Sequence, residues 1–144
     1  RGNLGLLDAE YDSFSVDTGT PGSPSIQDFS HLEFRRAPEI NFGVSADYQW
    51  QWGPGSAQLW ASARYLDDHE VDFANKPELS NDAQTLIDVS FTYEYQGWYA
   101  SVFGRNLADE DGYQIGFDVA GLWSYAAPRA PRTYGVEFGI RFGD

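Results

Sequence analysis

Hydrophobic and polar residues alternate with a period of two along residues 40–52, INFGVSADYQWQW. The intervening positions are filled by Asn, Gly, Ser, Asp and Gln. Successive side chains of a β-strand point to opposite faces, so this pattern predicts a strand with one apolar and one polar face. The apolar positions, in order, are Ile40, Phe42, Val44, Ala46, Tyr48, Trp50 and Trp52.

Further segments share this character, and no segment has the 3.6-residue period of a helix. At most one short helical turn is expected, within residues 26–34. The sequence therefore predicts an all-β protein with about six antiparallel strands. Besides residues 40–52, the predicted strands are 56–66, 84–96 and 133–142, which alternate clearly, and 4–12 and 98–107, which are weaker.

The connections between the predicted strands alternate between short and long. Short turns are expected at Gly53-Pro54-Gly55 and at Gln96-Gly97, where glycine supplies unusual backbone angles. All short turns then lie at one end of the sheet and all long loops at the other. Outer-membrane barrels have this arrangement, with short periplasmic turns and long extracellular loops, and tilted strands of about 9–11 residues cross the bilayer. The long connections are residues 13–37, 67–83 and 108–132.

Aromatic residues lie beside both short turns. Tyr and Trp prefer the boundary between lipid and water, because one end of the ring is apolar and the other forms hydrogen bonds. A soluble antiparallel sheet with one buried face also alternates, and that alternative stays open. Its buried face would favour Val, Leu and Ile, without aromatics near the turns. The predicted membrane-interface residues are Tyr48, Trp50, Trp52, Tyr93, Tyr95 and Trp98.

Composition narrows the possible partners. The 144 residues suit one domain, and a net charge of −13 argues against nucleic acid, which requires a basic surface. The chain has no cysteine, so disulfides and thiolate chemistry are excluded. No apolar run approaches the roughly 18 residues of a membrane-spanning helix. The chain begins at Arg1 without a signal peptide, and we expect it to be a piece of a longer protein.

The C-terminal third carries a family resemblance. WYASVFGRNLADEDGY, residues 98–113, and APRTYGVEFGIRF, residues 130–142, together resemble the end of a TonB-dependent outer-membrane receptor. In that family a W-x7-N-L-x-D-E strand leads into a long loop, and a P-R-T-Y strand closes the barrel. The segments at 5–14 and 37–48 agree with it. The resemblance implies that residues 1–144 are the C-terminal part of a transmembrane barrel of about 22 strands, whose plug domain is absent from this sequence.

The resemblance also implies a function. It suggests a receptor of the Gram-negative outer membrane that takes up a scarce ligand, such as a ferric siderophore, with energy from TonB. The implied partners are outer-membrane lipid, the protein's own plug and remaining strands, TonB acting through that plug, and the barrel-assembly machinery, for which Phe142 is the terminal signal. A passive porin-like or adhesive barrel and a soluble ligand-binding β-domain remain as alternatives.

Motifs for catalysis or cofactors are not found. The sequence has no Gly-x-Ser-x-Gly elbow and no phosphate-binding glycine motif, so we predict no enzyme activity and no cofactor. Residues 67–70 and 109–112 contain carboxylates that could bind metal ions, but solvated acidic loops explain them better, and we predict no metal site. His31 stands alone in a polar loop and is expected to be solvated.

Two groups of residues are predicted to face ligand or lumen. Trp123, Tyr125 and Arg129 share one loop, and aromatics with arginine suit a flat or anionic ligand. The alternative places the two aromatics in the outer interfacial girdle. Charges on a barrel wall are tolerated only on its inner side, so an ion network is expected there. Its members are Arg64, Glu94, Arg105, Glu137 and Arg141.

Overall fold

A computed structural model of the chain describes residues 1–119 and 122–141. Within these ranges one 3-10 turn, Pro77–Leu79, accompanies twelve strands. Nowhere in this part of the chain is a helix of the length and hydropathy needed to cross a membrane. The strands are β1 (Gly2–Leu6), β2 (Ser15–Asp17), β3 (Ile26–Asp28), β4 (Ile40–Trp52), β5 (Gly55–Leu66), β6 (His69–Glu70), β7 (Ser80–Asn81), β8 (Gln84–Tyr95), β9 (Trp98–Arg105), β10 (Tyr113–Val119), β11 (Trp123–Pro128) and β12 (Thr133–Ile140).

Six strands form one sheet in the order β1-β4-β5-β8-β9-β12. Each strand pairs antiparallel with its neighbours. The prediction of an all-β fold with about six antiparallel strands is therefore confirmed. The sheet is an open segment, with β1 and β12 at its two edges. The first strand ends at Leu6, earlier than the extended segment 4–12 suggested.

The register aligns the apolar positions of all six strands on one side. Val44 lies opposite Ala63, and Ala63 opposite Ile87, so the alternation continues across the sheet. We call this side the apolar face: the even-numbered residues of β1, β4, β9 and β12 and the odd-numbered residues of β5 and β8. None of these strand residues is charged. The other side, with the complementary residues, is the polar face.

Large side chains of the apolar face are exposed in several of its strands. Val44 is 55% exposed, Val102 is 52% exposed and Phe138 is 75% exposed. A large, uncharged and exposed surface is unusual for a protein in water, where such patches mark contact with a partner or a membrane. The sheet alone therefore leaves its main hydrophobic surface without a covering layer.

The two ends of the sheet differ as the connection lengths predicted. Gly53 and Pro54 join β4 to β5, and Gln96 and Gly97 join β8 to β9. Both residues of the second turn have positive φ, 48° for Gln96 and 81° for Gly97, as tight hairpin turns with right-handed twist require. We call this side the turn end and the opposite side, which carries the long connections, the loop end.

The long connections contain structure that the sequence did not predict. Three two-stranded ribbons, β2–β3, β6–β7 and β10–β11, lie within segments expected to be loops. At most one short helical turn was expected within 26–34, and none forms there; Ile26–Asp28 is a strand. The strands β2, β3, β6 and β7 have only two or three residues, which is too short to show a period. The ribbons β6–β7 and β10–β11 lie in residues 67–83 and 106–132, which together we call the loop layer.

Much of the fully buried material lies in the loop layer. Val71 is 1% exposed and Leu79 is 3% exposed. Both pack on Gly116 of β10, where an added Cβ would lie 2.9 Å from Val71 Cγ2 and 3.1 Å from Leu79 Cδ2. A side chain at position 116 would therefore push the two segments of the loop layer apart.

Candidate functional site: the loop end of the sheet

The junction between β9 and the loop layer is built around Asn106. It follows β9 with φ 49°, a left-handed conformation that Asn tolerates better than most residues. Its backbone N–H donates to Asp88 Oδ1 at 2.9 Å. Its side chain donates to Glu110 O at 2.9 Å and accepts from Glu110 N at 3.0 Å. The N-L-x-D-E segment is thus a closed turn that directs the chain out of the sheet.

The acidic residues Asp109 and Glu110 connect this turn to the neighbouring strands. The Thr85 N–H donates to Glu110 Oε1 at 3.0 Å, and Arg132 pairs with Asp109 at 3.0 Å. The first contact fixes the start of β8, and the second fixes the entry to β12. Across residues 1–119 and 122–141, no group of three or more His, Asp or Glu side chains is arranged to hold a metal ion.

Asn81 attaches β7 to β10. Its side chain is 3% exposed and bonds the backbone of Tyr113 twice, accepting from N at 2.7 Å and donating to O at 2.9 Å. Its Nδ2 also lies 3.1 Å from Nε2 of His69, whose Nδ1 lies 2.9 Å from Asp67 O. These contacts fit an imidazole ring protonated on Nδ1. One buried amide side chain therefore replaces a strand–strand ladder between the two ribbons.

Charged groups attach the hairpin β10–β11 to residues 71–79, through the face of the hairpin that carries Asp118. Asp72 is 1% exposed, and its carboxylate accepts from the backbone N–H groups of Ala74 at 3.1 Å and Asp118 at 3.4 Å. Lys76 Nζ lies 3.0 Å from Asp118 Oδ1, and this bond raises the pKa of Lys76. The hairpin is thereby held against residues 71–79.

The outer face of the hairpin carries an exposed aromatic patch, formed by Phe117, Trp123 and Tyr125. The ring of Phe117 lies 5.6 Å from Trp123 and 5.3 Å from Tyr125, centroid to centroid. Trp123 is 54% exposed and Tyr125 is 47% exposed. Rings held on a paired and anchored hairpin offer a preformed surface for stacking or apolar contact. Phe117 was not predicted, although its register opposite Tyr125 follows from the hairpin.

Arg129 does not join the aromatic patch. Its backbone N–H donates to Gly112 O at 2.7 Å, which returns the chain to the sheet after β11. Its Nη2 donates to Gln84 Oε1 at 2.7 Å. Gln84 is 2% exposed and lies at the start of β8. The structure thus brings Trp123 and Tyr125 together and places the Arg129 guanidinium at the sheet.

Four of the predicted inner-wall charges lie on the polar face. The fifth, Arg141, directly follows β12 at a position that would belong to the same face if the strand continued. Arg141 Nη1 lies 2.8 Å from Glu94 Oε1, and Arg105 Nη1 lies 3.4 Å from Asp88 Oδ2. Glu137 accepts from the Tyr99 hydroxyl at 2.6 Å. The arrangement is therefore one of separate pairs. Asp88 was not predicted as a partner; it directly precedes Val89, which the register pairs with Gly104 beside Arg105.

Glu70 lies where the first long connection meets the loop layer. Its backbone oxygen accepts from the Arg36 N–H at 2.7 Å, while its buried Oε2 has no hydrogen-bond partner among the described residues. Burial raises the pKa of Glu70, and the charges of Glu33, Asp72 and Asp68 raise it further. Deprotonated Glu70 is thus an unfavourable charge in this position.

The predicted interfacial aromatics gather at the turn end of the apolar face. Tyr48 and Trp50 stack at 5.4 Å, and Trp52 meets Tyr93 edge-on at 5.9 Å. The Tyr93 hydroxyl donates to Trp52 O at 3.2 Å. Tyr95 and Trp98 are paired across the β8–β9 turn. Phe142, predicted as the terminal signal, lies outside the described residues.

Comparison with known proteins supports the fold. The chain matches the crystal structure of the ferric yersiniabactin uptake receptor FyuA from Yersinia pestis with a TM-score of 0.66 and 21% sequence identity. The match covers 76% of this chain and 17% of that receptor, so the chain corresponds to a minor part of its length. No protein-family model matches the chain, and no curated protein matches it. The likeness shows an antiparallel sheet that resembles a segment of a TonB-dependent receptor barrel.

Proposed function

We propose that residues 1–144 form the C-terminal part of a TonB-dependent receptor barrel in a Gram-negative outer membrane. The receptor takes up a scarce ligand, of which a ferric siderophore is the first choice, and is not an enzyme. The remaining strands and the plug belong to the rest of the protein, TonB acts through that plug, and Phe142 signals to the barrel-assembly machinery.

The observation that carries this proposal is the uncharged, exposed apolar face shared by six strands. An arginine or lysine on a lipid-facing barrel wall costs about 2–4 kcal/mol at the bilayer midplane. A face without charge over this whole sheet matches that requirement. The free edges of β1 and β12 fit the same proposal, because backbone groups at membrane depth must be paired by neighbouring strands.

The orientation follows from the two ends of the sheet. Short turns with neighbouring aromatics suit the periplasmic boundary, and a loop layer with its own buried core suits the extracellular side. The aromatic patch of Phe117, Trp123 and Tyr125 would then face the medium from which ligand arrives. The similarity to a ferric siderophore uptake receptor favours this ligand class.

Membrane location is tested on the protein as it is encoded, expressed in a Gram-negative host. We expect it in the outer-membrane fraction, with an electrophoretic mobility that changes on boiling, because folded barrels resist detergent until heated. A species in the soluble fraction would contradict the proposal.

Transport is tested separately by deleting the gene and measuring uptake of radioactive iron from a panel of ferric siderophores. Loss of uptake for at least one compound, restored by the intact gene and dependent on TonB, supports a receptor. Passage of small solutes through the protein without TonB would instead indicate a porin-like barrel.

A further inference from the structure

A histidine and a buried amide meet where the two ribbons of the loop layer join. His69 in β6 pairs with Asn81 in β7, and Asn81 Nδ2 lies 3.1 Å from Nε2 of the half-buried imidazole. The same Asn81 side chain holds β10, because it accepts from Tyr113 N at 2.7 Å and donates to Tyr113 O at 2.9 Å. The imidazole therefore contacts a side chain that ties the two ribbons together.

The two bonds to Tyr113 determine how the Asn81 amide is oriented. A backbone N–H is a donor only, so the atom that Tyr113 N meets must be the amide oxygen. A carbonyl is an acceptor only, so Tyr113 O must meet the amide nitrogen. Asn81 Nδ2 uses one hydrogen for Tyr113 O, and its second hydrogen is left for His69 Nε2. The imidazole Nε2 must then be the acceptor in this contact.

The other ring nitrogen of His69 is fixed as well. Nδ1 lies 2.9 Å from the backbone oxygen of Asp67, which can only accept, so Nδ1 carries the proton. The neutral imidazole has one donor and one acceptor and satisfies both contacts. The imidazolium has two donors, and its Nε2–H would meet an N–H of Asn81. A charged His69 is therefore incompatible with the observed contact between the ribbons.

We infer that His69 is an acid-sensitive switch, which releases the hairpin β10–β11 from β6–β7 when Nε2 gains a proton. Histidine is the side chain that ordinarily changes charge between about pH 5 and 8. Repulsion at Nε2 displaces the Asn81 amide, and Tyr113 then loses both of its bonds to that side chain. The hairpin, which carries the aromatic patch, opens more often as a result.

Charged groups around His69 stabilise the released state. Most of them are acids, and a freed imidazolium gains from opposite charge nearby. Glu70 acts in the opposite direction, because burial raises its pKa and a proton taken up as pH falls removes an unfavourable charge. The titratable and charged residues of the segments that meet here are Asp67, Asp68, Glu70 and Asp72 beside His69, Asp82 after β7, Asp111 before β10, Tyr113 at its start, and Arg36 and Arg129, whose backbone N–H groups bond Glu70 O and Gly112 O.

The test measures hydrogen exchange of the purified encoded protein at about pH 7.5 and about pH 5.5, on either side of the ordinary titration of histidine. Rates are expressed as protection factors, which remove the pH dependence of the chemical exchange step itself. His69→Gln offers Asn81 a neutral side-chain oxygen at every pH. His31→Gln is the matched control, since His31 is the other histidine of the sequence and is exposed. Circular dichroism confirms that each variant keeps its strands.

At the lower pH, we expect the protection of β10 to fall about tenfold or more in the parent protein and in His31→Gln, while β4 and β5 stay unchanged. His69→Gln should lose this response, so that its protection exceeds that of the parent protein at the lower pH alone. If His69→Gln does not fold, Asn81→Asp replaces it. A carboxylate at this position accepts from the imidazolium, so the protection of that variant should rise as pH falls.

Two results overturn the inference. One is protection of β10 that is equal at the two pH values in the parent protein. The other is a fall of the same size in His69→Gln or, in its place, a fall in Asn81→Asp, which would assign the acid response to a different group. The inference goes beyond the proposed function, and neither result bears on that function, because membrane location and TonB-dependent uptake are measured separately.

Discussion

The sheet and the loop layer are stabilised in different ways. The sheet is a continuous ladder of backbone pairs, and few of its side chains are buried, such as Ala57 at 0% and Leu86 at 8% exposure. The loop layer has little regular pairing but encloses Val71, Asp72 and Asn81, each no more than 3% exposed. The sheet therefore depends on what covers its faces, whereas the loop layer carries its own core.

The sheet and the loop layer also differ in which groups form the hydrogen bonds of their backbone. In the sheet, backbone groups bond the neighbouring strand, and only the outer edges of β1 and β12 are left without one. In the loop layer the Asn81 and Gln84 amides and the Asp72 carboxylate take the place of a ladder, bonding the backbone of the neighbouring segment. A buried backbone group that loses its partner costs about 1–3 kcal/mol, so single side chains matter more there than in the sheet.

The largest effect is expected from a charge on the apolar face. Val44 lies near the middle of β4 and is 55% exposed. Val44→Arg should lower the free energy of unfolding in lipid vesicles by about 2–4 kcal/mol, because the guanidinium must enter the bilayer. The measurement is urea-induced unfolding of the encoded protein after folding into vesicles.

Gln49→Arg is the matched control, since Gln49 is exposed on the polar face of the same strand. We expect its free energy of unfolding to stay within about 0.5 kcal/mol of the parent protein. Equal behaviour of the two variants would mean that both faces of the sheet contact water, and the comparison between a lipid-covered sheet and a self-contained loop layer would fail.

A smaller and local effect is expected from Asn81→Leu. The substitution removes both hydrogen bonds to Tyr113, at 2.7 and 2.9 Å, and leaves two buried backbone groups unpaired. The loss of about 1–3 kcal/mol should appear as faster opening of the loop layer alone. Hydrogen exchange should accelerate about tenfold or more in β10 and β11 and stay unchanged in β4 and β5.

Gln114→Leu provides the comparison for this measurement. Gln114 lies in the same hairpin and is exposed, and its side chain has no hydrogen bond within the described residues. Its exchange rates should match those of the parent protein. Acceleration that spreads from Asn81→Leu into the six-stranded sheet would show that the two regions unfold together.

The sheet could be predicted from sequence because its physical cause is repetitive. A strand with two different faces must alternate, and residues 40–52 do so without interruption. The lengths of the connections then predicted that the short turns lie together at one end of the sheet, and Gly97 indicated the position of one of them. The contact between Asp88 and Arg105 depends on the exact register that this turn sets, which alternation alone does not give.

The loop layer could not be predicted in the same way. Its contacts join positions distant in sequence, such as Asn81 and Tyr113. Arg129 was grouped with Trp123 because the two are close along the chain. In the structure the Arg129 N–H donates to Gly112 O, and its guanidinium donates to Gln84 instead. Side chains that bond a distant backbone leave no periodic signal, and their partners become visible only in three dimensions.

The smallest expected effect concerns the charge of Glu70. Burial and neighbouring acids raise its pKa above the ordinary value of 4.5, so the folded loop layer binds this proton more tightly than the unfolded chain. The stability that protonated Glu70 contributes is fully present below the unfolded pKa and is lost as pH rises through the folded pKa. At neutral pH, Glu70→Gln should therefore slow hydrogen exchange in residues 67–83, because a neutral amide replaces an unfavourable charge.

The pH dependence separates this cause from a general loss of negative charge. The advantage of Glu70→Gln should shrink as pH falls and vanish below about 4.5, where the parent residue is itself neutral. Glu78→Gln removes one acid from an exposed position of the same segment and should show neither the gain nor its pH dependence. A gain of equal size in both variants would assign the effect to the net charge of −13, and the loop layer would then respond to long-range charge in the same way as the sheet.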